Sequence, residues 1–154
     1  MNPGYIVQNE QGVWNETVEN LQTWNNKIVN EQLTEHNRCG FDYMGHTFQS
    51  DATSIQNISG SVTFAMLLLQ QGQDMPAGFI WRSKDNVDVP MTAVQLIGLG
   101  QTLFSFISTN YFVSFAHKGA IAALTDIQAL LDYDSTTGWK GTITPPPTRG
   151  DGNT

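Results

Sequence analysis

The sequence predicts an α+β fold: a small helical domain of three main helices plus a short last one, with two short β-hairpins, an extended N-terminal arm and a Pro-rich C-terminal tail. Three observations predict it. Apolar residues recur three and four apart over 52–71 and again over 92–117. Two stretches of strand-forming residues flank tight-turn dipeptides, Met44-Gly45 and Asp85-Asn86. Capping residues stand just ahead of the helical stretches. The chain then divides into an arm (1–12), a single α+β domain (13–139) and a flexible Pro/Gly-rich tail (140–154).

Each element follows in order. Pro3, Gly4 and Gly12 break regular structure in the arm. The first helix is expected from about Asn15, as its cap, to Arg38. Glu16 and Glu19 suit its positive end, and Gly40 lies where a left-handed C-terminal cap belongs. Its apolar positions, Trp14, Val18, Leu21, Trp24, Ile28 and Leu33, make a narrow stripe. Phe41, Tyr43 and Phe48 mark the first hairpin. Asp51 caps a second helix to about Gln71, whose stripe Ile55, Ile58, Val62, Ala65 and Leu69 predicts a place at the centre of the core. The second hairpin runs through "FIWRSKDNVDVPM", with Pro90 ending its strand. Thr92 and Gln95 form a capping box for the longest helix, expected to reach about His117. Thr125 and Gln128 repeat the device for the short last helix, ending near Asp132.

Composition excludes several functions. Charged residues make up 14% and the net charge is −7. Phosphate binding needs clustered Lys and Arg, whereas the seven here are scattered, so neither nucleic acid nor an anionic membrane surface is an expected partner. Abundant Asn, Gln, Ser and Thr suit surfaces that bind protein or neutral glycan. Cys39 is the single cysteine, so no intrachain disulfide framework or Cys-based zinc site is expected. The N-terminus lacks the pattern of a signal peptide, which fits assembly in a cytoplasm. The stretch 89–117 carries no Asp, Glu, Lys or Arg and is long enough to span a membrane. Its Gln95, Gln101, Ser105, Ser108, Thr109, Asn110 and Ser114 favour a helix buried in protein.

No motif assembles a catalytic, cofactor or metal site. His36, His46 and His117 are isolated in sequence and read as helix-end, turn or surface residues. Asp132 and Asp134 read as solvated charges beyond a helix end, not as a glycosidase pair. Gly98-Leu99-Gly100 lies within a helix, where close packing explains it better than a phosphate loop. Trp14, Trp24, Trp81 and Trp139 read as buried or interface anchors. Arg149-Gly150-Asp151 resembles an adhesion tripeptide. The longest helix, by contrast, carries apolar residues over a very wide arc. That arc needs either a large intrachain core or copies of itself. Phe104, Phe112 and Phe115 on its edges are the expected partner contacts, and Asn110 within its stripe is expected to set register between helices.

The order of these signals, "GFDYMGHTFQSD", "SIQNISG", an apolar helix and "FIWRSKDNVDVPMTAVQLIGLGQ", resembles a domain of unknown function common in bacteriophage tail-fibre and tail-fibre-assembly genes. Phe41, Tyr43, Gly45, Phe48 and Asp51 match its first hairpin and cap. Trp81, Asp85, Asn86 and Thr92 match the second hairpin and helix start, over about residues 28–139. The resemblance implies a non-enzymatic structural component of a phage virion, tail or tail-fibre associated and assembled in the host cytoplasm. It would act through other tail or fibre proteins; the wide apolar arc adds homo-oligomerisation, and the charge and polar residues leave out nucleic acid and membrane. The alternatives are a tail-fibre assembly chaperone absent from the mature particle and, more distantly, a cell-wall hydrolase.

Overall fold

The computed structural model describes residues 5–144; arm residues 1–4 and tail residues 145–154, with the Arg149–Asp151 tripeptide, lie outside them. The element order is α1 (Val18–Arg38), β1 (Phe41–Tyr43), β2 (His46–Phe48), α2 (Ala52–Gln70), β3 (Ile80–Arg82), β4 (Asp88–Pro90), α3 (Ala93–Ala123) and α4 (Ile127–Leu131). The fold is α+β, with two separate antiparallel strand pairs. The described residues group into two compact units, 5–34 with 107–139, and 35–106 with 140–144.

In the first unit, Leu21, Val29, Ile121, Ile127 and Leu130 form a buried cluster, with Ile6, Trp14, Val18, Leu124, Leu131, Tyr133 and Trp139 packed round it. Asn15 does not cap α1. Its side chain accepts from the Val7 N–H (2.9 Å) and donates to the Tyr5 carbonyl, closing residues 5–15 into a loop with a Gln8–Trp14 bridge. Thr17 takes the capping place, its hydroxyl accepting from the Asn20 N–H at 3.2 Å. The inward stripe of α1 includes polar Asn25, whose amide donates to the Leu130 carbonyl at 2.9 Å. Gln22 likewise donates to the Leu124 carbonyl at 3.0 Å, so one helix satisfies carbonyls where two others end.

α3 runs six residues past the expected His117, because Ala120, Ala122 and Ala123 are strong helix formers and no proline intervenes. The cap of α4 is Asp126, not Thr125. Its carboxylate accepts from the Ala129 N–H at 2.9 Å, while Gln128 bonds Asp132 instead. Both residues suit a cap; burial of Ile127 and Leu130 selects the register.

In the second unit, β1 and β2 pair Phe41 with Phe48 and Tyr43 with His46. Met44 (φ 50°) and Gly45 (φ 76°) both occupy the left-handed region, as a two-residue turn matched to strand twist demands. β3 and β4 pair Ile80 with Pro90 and Arg82 with Asp88, around a turn containing Asn86 at φ 64°. The Lys84 N–H donates to the Thr47 carbonyl at 2.8 Å, joining the two hairpins. Asp51 caps α2 by accepting from the Ser54 N–H at 3.0 Å. The capping box of α3 is reciprocal: the Thr92 N–H donates to Gln95 Oε1 (2.9 Å) and the Gln95 N–H to Thr92 Oγ1 (3.2 Å). Asp74 adds a second cap, accepting from the Ala93 N–H at 2.6 Å.

Gly98 and Gly100 do serve close packing. A Cβ on Gly98 would collide with the Tyr43 hydroxyl, which donates to the Gln95 carbonyl at 2.8 Å; one on Gly100 would collide with Val62 of α2. The expectation that α2 is central to the core is corrected. Only Ile58 and Ala65 are buried, whereas Phe64, Met66, Leu67 and Leu69 are exposed. Four consecutive apolar residues at 66–69 sweep about 300° of a helix turning 100° per residue, more than one covered face can hide.

Candidate functional site

α3 presents a run of exposed aromatic surface. Phe104 is 73% exposed, Phe112 71% and Phe115 59%, with Tyr111 also exposed. Tyr111 and Phe112 reach Phe115 at the i,i+4 and i,i+3 spacings, with ring centroids 6.3 and 6.5 Å apart, the latter pair edge-on. Each exposed ring leaves apolar area in water at about 25 cal/mol per Å². Leu96, Leu99, Leu103 and Ile121 of the same helix are buried. α3 is therefore apolar both where its own chain covers it and where it does not.

Asn110 is fully buried and has an interaction partner of its own. It lies on the covered side of α3, away from exposed Phe104, Phe112 and Phe115. The pattern missed this because a polar residue interrupting an apolar stripe reads equally as a break or as a satisfied interior group.

The second unit adds the outer side of α2, where Gly60, Thr63, Phe64, Met66, Leu67 and Gln70 line a shallow apolar groove. Sequence reasoning missed it, although the uninterrupted run Met66–Leu69 was a usable signal. α2, not the 89–117 stretch, is the helix among the described residues whose length and composition would let it cross a membrane.

The titratable groups do other work. His117 is not a helix-end or surface residue. It lies within α3, buried, with Nε2 2.9 Å from the Thr137 carbonyl and Nδ1 2.7 Å from the Tyr133 hydroxyl, stacked on Trp139 at 5.5 Å. A carbonyl only accepts, so Nε2 carries a proton. Burial, then nearby Asp134, pushes the Tyr133 hydroxyl up. His36 Nδ1 lies 3.2 Å from the Lys140 carbonyl, and His46 packs edge-on against Phe48. Asp132 accepts from Gln128, and Asp134 from the Thr136 N–H and hydroxyl, which hold its carboxyl below its ordinary value. Among the described residues no group of three or more His, Cys, Asp or Glu gathers as a metal site would.

A cleft of about 440 Å³ in the second unit is walled by Cys39, Asp42, Thr47, Lys84, Phe106 and Thr142, among others. Lys84 Nζ donates to the Cys39 carbonyl at 2.7 Å, and Thr47 Oγ1 to Asp42 at 2.6 Å. Burial pushes the Cys39 thiol up, with Lys84 working against it. The thiol is thus held in its protonated, weakly nucleophilic form at neutral pH.

Residues 21–135 match the family described as Domain of unknown function (DUF4376). The chain belongs to that family. The match takes in α1 from Leu21, both hairpins, α2, α3 and α4, so the exposed aromatics of α3 stand within the DUF4376 region. No curated protein and no solved structure matches the chain.

Proposed function

We propose that this chain is a non-enzymatic structural component of a bacteriophage virion, tail or tail-fibre associated, acting in tail assembly or host attachment through protein–protein contacts. The observation that carries the contact reading is the exposed aromatic surface of α3: Phe104, Phe112 and Phe115 stand largely in water on a helix with no Asp, Glu, Lys or Arg from Ala93 to His117. Surface of this kind, uncharged and aromatic, suits the centre of a protein interface. The attribution to phage tails comes from the resemblance of the hairpin and cap motifs to a domain common among tail-fibre genes; DUF4376 is described only as a domain of unknown function. On this reading the protein is part of the virion, is assembled in the host cytoplasm, and uses neither nucleic acid nor a membrane.

Mass spectrometry of purified particles tests the proposal. The expected result is the protein present at a fixed ratio to tail components. Its absence from particles, together with its capture on immature fibre protein, would leave the assembly-chaperone reading in its place.

A further inference from the structure

We propose that the outer face of α3 is a self-association seam, on which a second copy of this chain pairs helix to helix. This deepens the contact reading above, and rests on it, by naming the partner. From Val94 to Phe115, alternating steps of three and four residues pick out one line along α3. Val94, Phe104, Tyr111 and Phe115 stand on it, all exposed, with half-buried Ile97, exposed Gln101 and half-buried Ser108 between them. Such a 3.5-residue periodicity, sustained over three heptads, is the pattern of a helix–helix seam. The buried residues Leu96, Leu99, Leu103, Asn110 and Ser114 lie on the other side of the helix, so α3 carries one covered face and one prepared face.

Three observations select a copy of the same chain as the occupant. The first is charge. The chain carries −7, so two copies repel wherever acidic surfaces meet, yet the stretch 89–117 has no Asp, Glu, Lys or Arg. Contact along α3 brings no like charges together, and a charged partner would find no complementary group there. The second is area. Exposed Phe104, Tyr111, Phe112 and Phe115 present roughly 500 Å² at about 200 Å² per ring, more than half of the ~800 Å² that each partner gives to a stable interface. Val94 and Gln101 extend the same surface. The third is shape. A twofold pair is self-complementary, and rings alternating with Gln101 and Ser108 give each copy both knobs and the gaps that receive them.

Light scattering on the purified full-length chain at tens of micromolar tests the proposal. The wild type is expected to show at least twice its 17.0 kDa mass. The F104D/F115D double variant is expected to fall to monomer mass with its circular dichroism unchanged, while F64D/L67D on α2 keeps the wild-type mass. If the aspartates prevent folding, F104S/F115S gives the same reading. A monomeric wild type, an F104D/F115D chain that stays associated, or dissociation in the α2 variant alone would overturn the seam. Particle composition is read separately, so a monomer found in virions sinks this inference and leaves the virion reading standing.

Discussion

α1 and α2 are nearly equal in length, 21 and 19 residues, and use their sequences in opposite ways. α1 is polar, yet encloses Leu21, Asn25 and Val29 and uses Asn25 and Gln22 to satisfy carbonyls at the ends of other elements. α2 is apolar and has no Asp, Glu, Lys or Arg, yet buries only Ile58 and Ala65 and leaves Phe64, Met66, Leu67 and Leu69 in water. Hydrophobic content therefore does not rank the helices by burial. A helix is buried where other elements meet it, and polar side chains enter the interior when they complete a hydrogen bond that the interior lacks.

The sharpest way to break this comparison is to truncate one leucine on each helix. Leu21→Ala should cost about 2–5 kcal/mol, because the fully buried side chain leaves a cavity. Leu67→Ser on α2 should stay within about 0.5 kcal/mol, as for other surface changes. Urea denaturation measures both, and a large loss at Leu67 would mean that α2 is covered after all. Next in size, Asn25→Ala should cost about 1–3 kcal/mol by leaving the Leu130 carbonyl without its donor. A neutral result would reduce Asn25 to a bystander.

A pair of glycines sharpens the contrast within α3. Gly100→Ala drives a methyl into Val62 and should cost about 1–3 kcal/mol despite the better helix former. Gly119→Ala meets nothing within 4 Å and should instead stabilise by up to about 1 kcal/mol. Thermal melts of the two variants should shift in opposite directions.

The smallest effect is a pH dependence shared by the helix starts. Glu16 is held below its ordinary value by the Thr17 N–H and the Asn20 amide, Asp51 by the Ser54 hydroxyl and N–H, and Asp74 by the N–H groups of Ala93 and Met75. A carboxyl depressed in the folded chain contributes stability that is complete above its unfolded pKa and lost as pH falls through the folded one. The melting temperature should hold from pH 7 to about 5 and decline below about 4, where unfolded carboxylates take up protons. Asp74→Asn should flatten that decline; an unchanged profile would remove Asp74 from the account.

Much of the fold was legible because its signals are local. Met44-Gly45 and Asp85-Asn86 declare turns by the backbone angles they tolerate, and Asp51 and the Thr92–Gln95 box declare helix starts by the bonds they can make within one turn. Local signals failed where two neighbours could do the same job. Asn15 and Thr17, or Thr125 and Asp126, are equally competent caps, and contacts distant in sequence chose between them. The candidate contacts divided in the same way. Phe104, Phe112 and Phe115 lie exposed where the wide apolar arc of α3 placed them, whereas Asn110 turned inward.

By itself, then, the amino-acid order determined the helices, the hairpins, their turns and the excess of apolar surface, since each depends on residues within a few positions of one another. Only the tertiary structure decided which apolar faces stay in water and which polar groups go inside. Burial is a property of two surfaces brought together, and one stretch of chain carries only one of them.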